Sequence, residues 1–332
     1  MKSFLHVSDI GPLATALEEA RQVKATPLAW RHLGEGKTVV LVFFNNSLRT
    51  RLSSQKAAYN LGLQPIVLNV GADSWKLETE LGVVMDGDRS EHLREAVPVI
   101  GSYCDLIGVR SFAGLNDRDF DYAETILRQF IDWSGRPVIS LESATVHPCQ
   151  AFADLITIDE YWTRKTGLRL GSGRRPKVVL SWAPHPRALP QAVPNSFAEW
   201  MNAAPVDLVI THPEGYELDP QFVQGARVEY DQMKAFEGAD FVYAKNWSCP
   251  GVSCPQAYGQ VLNYDRSWTV DERQMAVTDG AYFLHCLPVR RNVVVSDAVL
   301  DSPKSIVIPE AANRVVSAQT VMKRILEDIK NQ

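Results

Sequence analysis

The chain has 332 residues, 45% of them hydrophobic and 22% charged, a length and balance that ordinarily divide into two globular domains without disulfide staples. A formal charge of −5 with no basic face argues against nucleic acid as the main partner, and the Arg49/Arg51 and Arg290/Arg291 pairs suit small anions or are simply solvated. Five cysteines without a regular framework, no second pair to complete a zinc site, and no apolar run of signal-peptide or membrane-spanning length point to a reduced, cytoplasmic protein.

Leu13, Ala16, Leu17 and Ala20 recur at helical spacing and predict a helix over 10–23. KTVVLVFF at 37–44 reads as a buried strand, followed by a helix over 48–61 and a strand over 65–70. A helix over 91–103, a strand over 106–110, a helix over 124–131 and a strand over 137–141 continue the alternation, which implies a parallel sheet with helices on both faces. The second half repeats the plan. A helix over 150–161 leads through a basic, glycine-bearing loop at 165–176 to a strand over 177–182, a helix over 195–203 and a strand over 206–210. A short helix over 231–236, strands over 241–244, 281–284 and 305–308, and a closing amphipathic helix over 315–329 complete the chain. The expected fold is α/β, two domains each built on a parallel sheet flanked by helices. The first spans 1–145 and is completed by the closing helix, about 312–332; the second spans 146–311. Residues 183–194 hold four prolines in twelve positions, and proline's fixed φ and missing donor make this a stiff, extended loop shaping a site wall.

Three strand ends carry chemistry. After 37–44, Asn45-Asn46 turns into Ser47-Leu48-Arg49-Thr50-Arg51, where hydroxyls, guanidinium forks and the N–H groups of a helix start suit a phosphate-like anion. The alternative is an ordinary corner with solvated arginines. The glycines of GxGxxG and the lysine of GxxxxGK[ST] are missing, which disfavours a nucleotide cradle and a nicotinamide dehydrogenase. Glu142 to Gln150, with His147-Pro148-Cys149-Gln150, follows the strand at 137–141, and His285-Cys286-Leu287-Pro288 follows 281–284. Ligands bind at such carboxyl ends in open α/β sheets. Taken singly, His147 reads equally as a turn histidine, Arg110 as an edge residue and Cys286 as core packing.

The SLRTR helix start, HPxQ and HCLP, in that order, resemble the aspartate/ornithine carbamoyltransferase family from Phe43 to Arg314. The resemblance implies carbamoyl transfer without metal or other cofactor: phosphate is held as leaving group, the carbonyl oxygen is polarised and a neutral amine is aimed at the carbon. It implies that Ser47, Leu48, Arg49 and Thr50 hold the phosphate, that Arg110 and His147 donate to the carbonyl oxygen, and that Gln150 orients the carbamoyl amide. Pro148 and Cys149 belong to the same carbamoyl-phosphate site. Carbonyls of Cys286 and Leu287, beside a proline that is cis in the family, receive the carbamoyl NH₂, and Arg314 is a further donor. Arg110, His147, Gln150 and Cys286 are the expected catalytic residues. A non-catalytic protein that keeps only the anion pocket is the remaining alternative, and retention of Gln150, Cys286 and Lys245 argues against it.

The acceptor is legible in departures from the family's ornithine side. No Ser-Met-Gly loop is present, and Lys245 stands where an amine-binding aspartate is expected, which suits an acylated, uncharged α-nitrogen. With the proline-rich loop, Trp75 to Glu80 and Met85-Asp86-Gly87-Asp88, this resembles the N-acylornithine branch. That branch implies Glu142, His185, Lys245 and Arg290 as acylornithine contacts, and a homotrimer in which Trp75 reaches a neighbour's carbamoyl phosphate. It also implies a knotted second domain, with the Lys245 segment passing through the proline-rich loop. Ser90 lies where the acetylornithine form has glutamate and the succinylornithine form has proline. A serine removes the charge that would repel a succinyl carboxylate, so N-succinyl-L-ornithine is the expected acceptor and N-acetyl-L-ornithine the alternative, in arginine biosynthesis.

Overall fold

The computed structural model describes residues 1–330 and separates into two compact α/β units. The first contains Met1–Ala113, Asp119–Cys149 and the C-terminal segment from Arg314. Its strands are β1 (Ser3–Phe4), β2 (Thr38–Phe43), β3 (Gln64–Asn69), the paired β4 (Leu77–Glu78) and β5 (Glu91–His92), β6 (Leu106–Arg110) and β7 (Val138–Glu142). The main sheet runs β1-β7-β6-β2-β3, parallel throughout. Val39 to Phe43 are all buried because helices cover both faces of a parallel sheet, which is why β2 reads as an unbroken apolar run. Helices α1 (Leu13–Ala25), α2 (Leu48–Leu61), α3 (Leu93–Ser102), α4 (Arg118–Tyr122) and α5 (Thr125–Trp133) connect the strands. On one face Val40, Val42, Ile107 and Val109 pack with Leu93, Val97, Leu127 and Phe130 of α3 and α5. Gly62 ends α2 at φ +79, where an added Cβ would lie 2.3 Å from the Arg31 carbonyl, so glycine is required there.

The second unit comprises Gly114–Arg118 and Gln150–Asn313. Helix α6 (Pro148–Thr166) leads into β8 (Lys177–Trp182), α7 (Ala192–Ala203), β9 (Asp207–Thr211), α8 (Pro220–Val223), β10 (Arg227–Glu229), α9 (Gln232–Phe236) and β11 (Phe241–Lys245). Then come α10 (Glu272–Ala276), β12 (Tyr282–Leu284), α11 (Asp297–Leu300) and α12 (Val307–Lys330). The parallel order is β10-β9-β8-β11-β12. Val179, Val209, Phe236, Val242 and Phe283 lie in the core on one side of this sheet. The five cysteines are all thiols.

Several expectations are corrected. The run at 305–308 is not a strand: Ser305 makes one bridge to Phe283, and Val307 already opens α12. Pro309 is tolerated in that first turn because its missing N–H would have had no intrahelical acceptor. The proline-rich segment stops short of its expected end: Gln191 is already at helical dihedrals, and Ala192, Val193 and Pro194 form the first turn of α7, where proline is tolerated for the same reason. Glu91 and His92 form β5, and α3 begins after them because the His92 side chain accepts from Arg94 N–H and caps the helix. Helix α1 starts at Leu13, after Gly11 in a positive-φ conformation and Pro12 at the N-cap. The edge strands β1 and β10 carry too little apolar pattern to read.

Candidate active site

In the first unit, β2 delivers the chain to Ser47, whose Oγ caps α2 by accepting from Thr50 N–H at 3.3 Å. Thr50 is buried, and its Oγ1 accepts from Arg314 Nη2 at 2.9 Å and Arg110 Nη1 at 3.4 Å. With both lone pairs engaged by guanidinium groups, the hydroxyl proton of Thr50 is directed to a further acceptor. Leu48 is exposed and Arg49 half-buried at the same helix start, and Arg51 bonds Asn69 Oδ1 at 3.2 Å.

Arg110 ends β6 with only 6% of its surface exposed, its guanidinium over the Phe112 ring at 4.2 Å. It pairs with the Glu142 carboxylate, which also lies 3.4 Å from His147 Nε2. This pairing depends on a register break between β6 and β7. Val109 lies opposite Ser140, but Arg110 lies opposite Glu142, and Leu141 is skipped. Glu142 therefore sits within the cluster expected to hold the donor, although the resemblance assigns it to the acceptor. The loop from Ser143 to Val146 is held by Glu124, whose Oε1 accepts from Ser143 Oγ at 2.6 Å, Thr145 N–H at 2.8 Å and Thr145 Oγ1 at 2.5 Å. Burial raises the Glu124 carboxyl above its usual range against the lowering effect of those bonds. Cys149 is buried, its thiol pushed up to about 12 by burial, and its carbonyl accepts from Ser317 Oγ at 2.7 Å. Burial thus favours the neutral thiol over a thiolate at Cys149.

The second unit carries Gln150, Cys286, Leu287, His185, Lys245 and Arg290. Gln150 Nε2 donates to Asp154 Oδ1 at 2.7 Å and to Glu310 Oε1 at 3.2 Å. Glu310 Oε2 accepts from the His285 N–H at 2.9 Å, and His285 Nδ1 accepts from Leu287 N–H at 2.8 Å. The Leu287–Pro288 peptide is cis, with Leu287 at φ +53. The Tyr243 phenol is held protonated, first by burial and then by Asp154, Cys286 and Glu310 around it. Asp154, Tyr243 and Glu310 were not foreseen. The one sequence signal was Asp154 a helical turn after Gln150 on an otherwise apolar face.

Basic groups converge after β8 and β11. His185 Nε2 accepts from Arg290 Nε at 2.9 Å, while its Nδ1 lies 2.9 Å from the Arg187 carbonyl and 3.1 Å from the Arg187 N–H. His185 is held below its ordinary value by burial, with the nearby Lys245, Arg290 and Arg187 charges adding to the effect. Lys245 is 9% exposed, with Nζ donating to the Asn246 carbonyl. Three nitrogen-bearing side chains in one place suit carboxylate or carbonyl oxygens. The proline-rich loop is bound to the segment after β11: Asn246 Nδ2 donates to the Ala183 carbonyl at 2.7 Å, and Gln191 Nε2 to Ser248 Oγ at 2.9 Å.

The remaining two expected residues, Trp75 and Ser90, flank a surface loop in the first unit that β4 and β5 pinch at its base. Trp75 is 57% exposed, its indole N–H on Glu91 at 2.9 Å, and Ser90 N–H bonds the Lys76 carbonyl at 3.2 Å. Leu81, Val84 and Met85 on this loop are exposed as well.

Residues 2–160 match the aspartate/ornithine carbamoyltransferase carbamoyl-P binding domain, and residues 190–325 match the Asp/Orn binding domain of the same family. The chain belongs to the aspartate/ornithine carbamoyltransferase family. Among its relatives, the N-succinylornithine carbamoyltransferase of Bacteroides thetaiotaomicron is 63% identical over 330 residues, covering 99% of this chain and 100% of the relative. The N-acetylornithine carbamoyltransferase of Xanthomonas axonopodis pv. citri is 38% identical over 301 residues, covering 87% and 86%. A crystal structure of a glutamate-to-serine mutant of N-acetyl-L-ornithine transcarbamylase, complexed with carbamyl phosphate and N-succinyl-L-norvaline, superposes with TM-score 0.88 at 37% identity, covering 98% of this chain and 100% of that one. The two-domain parallel α/β fold expected from the sequence is the fold of this family. No helix among the described residues is long and apolar enough to cross a membrane.

Proposed function

We propose that this family member transfers the carbamoyl group of carbamoyl phosphate to the side-chain amine of N2-succinyl-L-ornithine, giving N2-succinyl-L-citrulline and phosphate, in arginine biosynthesis. The observation that carries the donor is the convergence of Arg110 and Arg314 on Thr50 at the start of α2. Ser47, Leu48, Arg49 and Thr50 bind the phosphoryl oxygens there, with Arg314 offsetting the charge that grows as phosphate leaves. Arg110 and His147 polarise the carbonyl oxygen, with Pro148 and Cys149 shaping that side of the site. Gln150 and the carbonyls of Cys286 and Leu287 hold the carbamoyl NH₂. The neutral amine attacks the carbonyl carbon, the new C–N bond forms as the C–O bond to phosphate breaks, and the nitrogen sheds one proton.

Likeness to the Bacteroides enzyme and the serine at position 90 support the succinyl acceptor. A succinyl group adds a carboxylate, and Ser90 offers it a hydroxyl where a glutamate would repel it. Glu142, His185, Lys245 and Arg290 bind the acylornithine. The segment up to 145, completed by the C-terminal helix, is the carbamoyl-phosphate domain; 146–311 is the acylornithine domain. The enzyme is a cytoplasmic homotrimer in which Trp75 completes a neighbouring site, a reading supported by the exposure of Trp75, Leu81 and Val84 on one loop. Its second domain is knotted, with residues 245–248 threaded through the proline-rich loop they bond. Purified protein is to be assayed with carbamoyl phosphate and each of ornithine, acetylornithine and succinylornithine. Turnover only with succinylornithine is expected; preference for acetylornithine would overturn the acceptor, and turnover with free ornithine the whole branch.

A further inference from the structure

Two carboxylic side chains, Asp154 and Glu310, are fully buried against Gln150, itself 1% exposed. A primary amide has two hydrogens on nitrogen and an acceptor oxygen, and here both hydrogens are taken, one by Asp154 Oδ1 and one by Glu310 Oε1. Glu310 uses its other oxygen on the His285 N–H, so one carboxylate joins the α6 start to the His285–Pro288 turn.

We infer that Glu310 and Asp154 are positioning residues that fix the polarity of Gln150, so that it meets the carbamoyl group only through its amide oxygen, as an acceptor for the carbamoyl NH₂. This rests on the carbamoyl-transfer reading and extends it to two residues assigned no role so far. Glu310 also sets the distance between Gln150 and the Cys286 and Leu287 carbonyls, the other acceptors for that NH₂. Acceptors on both N–H bonds of that group hold the carbamoyl plane, and with it the face of the carbon that the amine attacks.

A glutamine at 310 has one acceptor oxygen where the carboxylate has two. It cannot accept from both Gln150 and His285, and its own NH₂ confronts one of those donors. Relief comes by turning the Gln150 amide over, which presents NH₂ to NH₂ at the substrate. The test is a double-mutant cycle of Glu310→Gln with Gln150→Ala in the full-length enzyme, steady-state kinetics being measured for both substrates. Glu310→Gln alone is expected to lower kcat by about 10- to 100-fold, the size of one lost charge-assisted hydrogen bond, with the acceptor KM changed less than about 3-fold. In the Gln150→Ala background the same change should alter kcat by less than about 2-fold, since the group it acts through is gone. Equal losses in both backgrounds, as a merely structural role would give, overturn the inference, and so does a loss below about 2-fold in the otherwise wild-type enzyme. Asp154→Asn leaves the Glu310–His285 bond intact and carries the same test if Glu310→Gln does not fold. A wild-type enzyme without carbamoyl transfer overturns the reading and the inference together; turnover indifferent to Glu310 overturns the inference alone.

Discussion

Replacing Glu142 by glutamine probes the buried Arg110–Glu142 pair. Arg110 is 6% and Glu142 9% exposed, so solvent screens the pair little. Opposite charges about 4 Å apart at an effective dielectric of about 20 attract by about 4 kcal/mol. Breaking one side of such a pair typically costs about 3–5 kcal/mol, because the remaining charge stays buried. The glutamine oxygen still accepts from Arg110, which returns about 1 kcal/mol. A net loss of about 2–4 kcal/mol follows, or a Tm lower by roughly 5–15 °C for a folding unit of this size. The assay is calorimetric or urea unfolding of both proteins in a phosphate-free buffer, then with phosphate titrated in. An anion beside Arg110 and Arg314 replaces part of the missing charge, so phosphate should raise the Tm of Glu142→Gln more than that of the wild type. A variant within about 0.5 kcal/mol of wild type, or equal phosphate shifts in both, would refute the assignment of Glu142 as counter-charge to Arg110.

Three further outcomes are expected. Ser90→Glu sets a carboxylate against the succinyl carboxylate and should lower kcat/KM for succinylornithine by about 10- to 100-fold through like-charge repulsion; unchanged kinetics would place residue 90 away from the acyl group. His185 has its folded value lowered beneath the usual 6.5, chiefly by burial, so the stability it contributes is present above 6.5 and lost as pH falls through the folded value. Over the same fall the protonated ring can no longer accept from Arg290, and the acceptor KM should climb; a KM that stays flat from pH 7.5 down to about 5 would count against this contact. Glu124 is shifted the other way, its folded value raised by burial, so its contribution is present in acid and lost as pH rises through that value. Glu124→Gln keeps the accepting oxygen and should gain on the wild type as pH rises, whereas Glu124→Ala, which strands the donors of Ser143 and Thr145, should lose about 2–4 kcal/mol throughout. Parallel stability–pH curves for wild type and Glu124→Gln would dispose of the charge argument.

Buried parallel strands were legible because their apolar runs have no competing reading: 106–110 and 177–182 are strands over the same residues in the structure. The run at 305–308 failed because three β-branched or apolar residues beside a proline suit a buried helix start as well as a strand. The beginning of α3 was misplaced because the His92 side chain caps it, whereas the Ser47 cap of α2 lies where the sequence places that helix start. For the candidate site, motif order singled out Ser47–Thr50, His147, Gln150 and Cys286, because each lies just after a strand. Glu124 and Glu310 were invisible for a physical reason. A buried acid is tolerable only with partners, and the partners of Glu310 lie 25 and 160 positions away in the chain.

The skipped residue between β6 and β7 gives the Arg110–Glu142 pair an unusual genetic exposure. An unbroken ladder would set the aliphatic Leu141 opposite the guanidinium, and the acid would fall one place further on. Lengthening β7 by a single codon ahead of Glu142 carries the acid a further place from Arg110 and dissolves the pair while every charged residue is still encoded, whereas deleting Leu141 would leave acid and guanidinium opposite each other in an unbroken ladder. Scanning by substitution would therefore understate how closely this strand is specified; a scan of one-residue insertions is the experiment to which it should prove intolerant.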